Sequence, residues 1–153
     1  MPNSGFARVQ RKMLAMAKAG EAAMRLSMEE GAQQIVDTMR AYVAVKSGDL
    51  YDSIGWTWGE APKGSLKIAS VKSRRGNMKI TIYAGNDKAY YARFVEFGTQ
   101  AHLNGGMFAG SNHPGGPAQS FFYPAYRINK KPVTRKVNTA VRKAVRKVWA
   151  SGN

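Results

Sequence analysis

Met78-Lys79-Ile80-Thr81-Ile82-Tyr83-Ala84 alternates Met, Ile, Ile and Ala with Lys, Thr and Tyr, the period of a half-buried strand. The same period recurs upstream, where Ile54, Trp56 and Trp58 alternate with Gly55 and Thr57. Leu66 to Lys72 reads as a further strand, joined to Met78–Ala84 through Ser73-Arg74-Arg75-Gly76-Asn77, in which Gly-Asn suits a tight hairpin turn. These runs predict an antiparallel sheet of three to four strands. Both ends of the chain carry helical spacing instead, so the expected fold class is α+β.

On the N-terminal side, Phe6, Val9, Met13, Met16, Met24, Met28, Ile35, Met39 and Tyr42 are separated by sums of threes and fours, with Ala filling between them. A helix is predicted from about Ser4 to Val45, with Gly20, Ser27 and Gly31 as its weak points. Continuous, it would span roughly 60 Å, more than a small domain's diameter, so part of it is expected to fold back or to project toward a neighbour. Ser47-Gly48-Asp49-Leu50 then supplies the glycine and turn residues that end a helix.

Downstream, Asp87 to Phe97 reads as a short helix with Asp87 as its N-cap. Tyr90, Tyr91, Phe94, Phe97, Phe121 and Phe122 are expected where it packs on the sheet, with Trp56 and Trp58 beside them. Residues 98–117 hold six glycines and two prolines and predict a long, exposed, irregular loop that orders on contact with a neighbour. A final helix is expected from Pro132 to Trp149, since proline suits a first turn. Its Val133, Val137, Val141, Ala144, Val145 and Val148 form one face, and Arg135, Lys136, Arg142, Lys143, Arg146 and Lys147 cover the other. The expected organisation is one domain over 1–153, made of a helical segment (1–46), a sheet with a short helix (47–97), a Gly-rich loop (98–117), and an aromatic segment with the basic helix (118–153).

A chain of 153 residues can bury a single core, and 44% hydrophobic with 22% charged residues is a globular balance that excludes disorder as the main state. Without cysteine there is no disulfide framework, thiolate metal site or thiol nucleophile. No run of about 18 apolar residues exists, so no spanning helix and no membrane partner is expected. Arg8, Arg11, Lys12 and Lys18 interrupt any signal-like apolar core, and the start reads as mature sequence.

The net charge of +15 is unevenly placed. Residues 1–60 carry seven basic and seven acidic side chains, residues 61–96 eight and two, and residues 97–153 nine and none. Such a balance suits a polyanion or an acidic protein surface. For the C-terminal helix, contact with such a partner and plain solvation both stay open. No helix-turn-helix, zinc finger or aromatic RNA-binding motif points to sequence-specific recognition.

Reactive chemistry finds little support. His102 and His113 lie in the Gly-rich loop without a third ligand type beside them, and no metal or cofactor is expected. Asp49 with Asp52 flank a turn, and Glu29 with Glu30 point to different faces of a helix, so capping and solvation are the expected roles. No nucleophile elbow, Walker loop or dinucleotide fingerprint occurs. The chain is not expected to be an enzyme.

Three segments in order carry a family resemblance: Ala44-Val45-Lys46-Ser47-Gly48-Asp49-Leu50-Tyr51-Asp52-Ser53-Ile54, Tyr91-Ala92-Arg93-Phe94-Val95-Glu96-Phe97-Gly98-Thr99, and His113-Pro114-Gly115-Gly116-Pro117-Ala118-Gln119-Ser120-Phe121-Phe122-Tyr123-Pro124-Ala125. They resemble the tail-completion or minor tail proteins at the head–tail junction of long-tailed bacteriophages, over about residues 5–149. Ala44 and Ser120 stand where that pattern has proline, and Ser47 where it has threonine; none of these departures removes a chemical group.

The resemblance implies a non-enzymatic α+β virion protein without catalytic residues or cofactors. It implies a homo-oligomeric ring, hexameric or dodecameric, that joins the connector complex to the tail tube around the DNA channel. Partners would be sister copies, the head-closure or connector proteins, the tail terminator or tube, and DNA. The location would be the virion neck, with host cytoplasm during assembly. The matching positions Ser47, Gly48, Leu50, Ser53, Ile54, Tyr91, Ala92, Val95, Glu96, Phe97, Gly98, Thr99, Pro117, Phe121, Phe122, Pro124 and Ala125 become structural positions of the family motif. The six cations of the last helix become candidate contacts to channel DNA or an acidic partner. The alternative is a basic, non-specific nucleic-acid-binding protein acting as a monomer or dimer.

Overall fold

The computed structural model describes residues 4–44, 48–72 and 78–151. Ser47 and the Ser73–Asn77 turn lie outside the described residues. The elements follow in the order α1 (Ser4–Tyr42), α2 (Asp49–Asp52), β1 (Gly55–Trp58), β2 (Leu66–Lys72), β3 (Lys79–Ala84), α3 (Ala92–Phe97), β4 (His102–Leu103), β5 (Asn112–His113) and α4 (Phe122–Ala150). The class is α+β as expected, with a three-stranded sheet and a separate two-stranded one. Residues 4–32 and 128–151 belong to one compact unit, and residues 33–127 to a second within their described parts.

The first unit is an antiparallel pair of helical segments. A Cβ at Gly20 would stand 3.4 Å from Val145 Cγ2, and one at Gly31 only 2.4 Å from Val133 Cγ1, while Lys12 Nζ lies 4.4 Å from the centroid of the Trp149 ring. The glycines expected to weaken α1 are therefore places where α4 packs closely against it, and α1 runs through them unbroken. The half-buried Val133, Val137, Val141, Val145 and Val148 form the packed stripe of α4. Because Trp149 is level with Lys12, α4 ends before the first turns of α1, and Phe6 and Val9 remain exposed.

The second unit is built on β3, which lies between β1 and β2 and pairs antiparallel with both. Gly55 faces Tyr83 and Trp58 faces Ile80 on one side; Leu66 faces Ala84 and Lys72 faces Lys79 on the other, with a register shift between Lys67 and Ala69. As the central strand, β3 buries Ile80, Thr81, Ile82 and Ala84, and the Thr81 hydroxyl donates to the Gly59 carbonyl at 2.6 Å. Ile35, Val36 and Met39 of α1, with Val43, Leu50, Ile54, Ala89, Ala92, Phe121, Phe122 and Ala125, complete this unit's core.

Four local expectations are corrected. Asp87 does not cap a helix: Asn86 Oδ1 accepts the Lys88 and Ala89 N–H groups at 2.9 and 2.8 Å, forming a side-chain turn that delays α3 until Ala92. Tyr90, Phe94 and Phe97 are exposed rather than packed on the sheet, because the short α3 buries Ala92 and Glu96 instead. The Gly-rich stretch is an exposed arm with regular pairing, not a structureless loop: Thr99 bridges Gly116, His102 pairs with His113, Leu103 pairs with Asn112, and Gly106–Phe108 forms one 3-10 turn. The last helix begins at Phe122, ten residues before Pro132, which sits inside it.

Candidate functional site

The early start of α4 has a specific cause. The first four backbone N–H groups of a helix have no intrahelical acceptor, so a buried helix start needs acceptors from elsewhere. Glu96, on α3 and deeply buried, supplies them: Oε2 accepts from Phe121 and Phe122 at 2.9 Å each, and Oε1 accepts from Tyr123 at 3.0 Å. The fourth position is Pro124, which has no N–H. All four first-turn positions are thus accounted for, and the carboxylate sits where the helix dipole favours negative charge.

The surrounding bonds tie the second motif segment to the third. Gln119 N–H donates to the Val95 carbonyl at 2.8 Å, and the Ser120 hydroxyl donates to the Glu96 carbonyl at 2.8 Å. Ser120 therefore adds a side-chain bond to this junction. Thr99 and Gly116 exchange backbone bonds at 3.0 and 2.9 Å. Gly98 has φ 73° and ψ 179°, and a Cβ there would lie 2.7 Å from the Gly116 carbonyl oxygen. Only glycine permits this approach.

The first segment is fixed to the sheet by Ser53. Its buried hydroxyl donates to the Leu50 carbonyl at 2.7 Å and accepts Gly85 N–H at 3.0 Å. Gly48 is left-handed at φ 88° and precedes the single turn of α2, while Leu50 and Ile54 are buried. Arg40 Nη2 donates to the Ile54 carbonyl at 3.0 Å, and its guanidinium carbon lies 5.3 Å from the Tyr51 ring centroid. Among the other motif positions, Ala92, Phe121, Phe122 and Ala125 are buried, and Tyr91, Val95 and Pro124 are half-buried. Pro117 and Phe97 are exposed, with the Phe97 ring 5.8 Å from that of Tyr123.

The six candidate cations, Arg135, Lys136, Arg142, Lys143, Arg146 and Lys147, are all exposed on α4. Lys136 pairs with Glu30 at 2.7 Å; among the described residues the other five form no ion pair. The first unit contains thirteen Lys and Arg against three Glu, so most of the chain's excess positive charge lies there. This charged helix face is legible in the sequence, whereas the Glu96 contacts and the pairing within residues 99–116 join residues distant in the chain.

His102 and His113 stack across β4 and β5 with ring centroids 4.9 Å apart. His113 Nδ1 accepts Gly115 N–H at 3.0 Å, and His102 Nδ1 lies 2.9 Å from the Gln100 carbonyl, so both rings brace the arm. Among the described residues no group of three or more His, Asp or Glu side chains is arranged to hold a metal ion. No helix is long and apolar enough to cross a membrane among these residues.

A family model described as "Bacteriophage HK97-gp10, putative tail-component" matches residues 7–98. The match takes in the first two motif segments up to Gly98; the arm and α4 lie beyond it. No curated protein and no solved structure matches the chain.

Proposed function

The chain belongs to the HK97-gp10-like family of bacteriophage tail components, and from that premise we propose that it is a structural virion protein of the head–tail junction. In this reading it assembles with copies of itself as a ring between the connector complex and the tail tube. It acts in the virion neck after assembly in the host cytoplasm. The polar groups of the three motif segments support a structural role, since Ser53, Glu96 and Ser120 are engaged in joining one segment of backbone to another.

The observation that carries the DNA-channel part of the proposal is the acid-free face of α4. Arg135, Arg142, Lys143, Arg146 and Lys147 present five exposed cations without acidic partners among the described residues. Phosphate contact releases condensed counterions, each neutralised phosphate adding about −0.9 to the slope of log affinity against log salt. Five contacts would give a slope of about −4 to −5 for duplex DNA.

The direct test replaces Arg135, Arg142, Lys143 and Arg146 together with Gln and follows virion assembly and DNA retention. Loss of retained DNA from otherwise complete particles is expected. Normal assembly and retention would remove the channel assignment. The same cationic face also suits a non-specific nucleic-acid-binding protein, and salt-sensitive DNA binding by a monomeric or dimeric species, with the chain absent from particles, would favour that reading.

A further inference from the structure

We propose that the arm formed by residues 99–116 is an intersubunit clasp, its apolar tip docking on the aromatic face of α3 in the next copy of this chain. This rests on the assembly reading above and specifies which surfaces meet. The arm is pinned at its base by the Thr99–Gly116 bridge and stiffened by the β4–β5 pair and the stacked histidines. At its tip, Leu103 is 74% exposed, Met107 94% and Phe108 70%. The outer side of α3 and the turn before it show a second apolar display, with Tyr90 70%, Phe94 51% and Phe97 53% exposed. Phe94 and Phe97, three residues apart on α3, share one helix face and form a stripe, with Tyr90 in the turn just before the helix.

The two displays differ in form. One is a narrow projecting turn and the other a row of aromatic rings, so the contact they make is heterologous, the kind that closes a ring. Thioether sulfur packs well against aromatic rings, which suits Met107 to this stripe.

Charge identifies the occupant. Residues 97–126 contain no Asp, Glu, Lys or Arg, although the chain as a whole carries +15. DNA or an acidic protein would be met by the cationic surfaces. A neutral, apolar arm suits a partner that is itself strongly cationic and offers a nearly neutral apolar face, and a sister copy is such a partner. The exposed charged residues near the stripe in sequence, Asp87, Lys88 and Arg93, are nearly balanced, and the arm brings no charge of its own toward them. The exposed fractions correspond to on the order of 400 Å² of apolar surface per copy at each contact, about half a standard interface side. The clasp therefore works as part of a larger contact.

The test places a photo-reactive phenylalanine analogue at position 107 and maps adducts in purified particles. In parallel, it measures self-association of Met107→Glu, Phe94→Lys and the double variant. Both substituted residues, Met107 and Phe94, are exposed, and folding is checked by circular dichroism. Adducts between two copies, within residues 90–97 of the acceptor, are expected. Each single charge variant should weaken self-association at least tenfold, and the double variant should recover to within about threefold, because each contact then pairs opposite charges. Adducts to another virion protein or another region of a sister copy would overturn the clasp, as would a folded double variant no better than the singles. Absence of the chain from particles, with no multi-copy species in solution, would instead remove the assembly reading and the clasp with it.

Discussion

Replacing Glu96 with Gln is expected to destabilise the protein by about 2–4 kcal/mol, although it changes one atom of the side chain. Three buried N–H groups converge on the two carboxylate oxygens at 2.9, 2.9 and 3.0 Å. An amide retains one acceptor oxygen and turns an NH2 group toward the remaining backbone donor. At least one buried N–H then lacks an acceptor, at about 1–3 kcal/mol, and the bonds that survive lose their charge assistance. The interaction with the start of α4 falls as well, by up to about 2 kcal/mol in a partly buried site. For a chain of this length, about 3 kcal/mol corresponds to a fall in Tm of roughly 6–12 °C. Urea unfolding with an unchanged slope would report the loss as a shift in midpoint, and amide exchange at Phe121, Phe122 and Tyr123 would place it at the helix start. Glu30→Gln is the matched control: it breaks an exposed pair with Lys136, and less than about 0.5 kcal/mol should be lost. A Glu96→Gln protein within 0.5 kcal/mol of the unsubstituted chain, taken as roughly the size of an ordinary surface change, would refute the capping argument.

Gly98→Ala should cost at least about 3 kcal/mol or prevent soluble expression, because the added Cβ meets the Gly116 carbonyl at 2.7 Å in a backbone conformation reserved for glycine; a normal urea midpoint would contradict this. Gly31→Ala gains helix propensity of about 1 kcal/mol, yet its Cβ would stand 2.4 Å from Val133 Cγ1. A net loss of about 1–2 kcal/mol is expected, and Val133→Ala in the same chain should make the substitution less costly, as a double-mutant cycle would measure. Ser53→Ala leaves the buried Gly85 N–H without its acceptor and should lower stability by about 1–3 kcal/mol in the same urea assay.

The backbone pattern was legible where neighbouring residues decide it. Period-two alternation located β1 and β3, and β2 has the residues expected, Leu66–Lys72. Helical spacing found α1, although glycines 20 and 31 looked like weak points when read without the helix that packs against them. The missed features are set at a distance in the chain. Pro132 drew the start of α4 toward itself because a local reading favours proline in a first turn, whereas the acceptors for the real start come from Glu96, 25 to 27 residues earlier. The first-turn proline rule holds at Pro124 instead. Likewise, the glycines of the arm suggested irregularity, while cross-strand pairing of His102 with His113 gives it order.

For the candidate site, the motif segments carry residues whose physical roles are not legible in the sequence. Glu96 belonged to a recognisable Val95-Glu96-Phe97-Gly98 stretch, but nothing in its neighbours shows that it faces a helix end. Phe94 and Phe97 have the hydrophobicity of core residues and only the shortness of α3 leaves them outside. The cations of α4 were legible because a charged helix face repeats locally, and all six are exposed.

Electron microscopy of purified particles, with this chain located by an attached label, tests the assembly account most directly. Several copies arranged as a closed ring around the channel at the head–tail junction are expected. A compact monomer found only outside particles, with no labelled density at the neck, would contradict it.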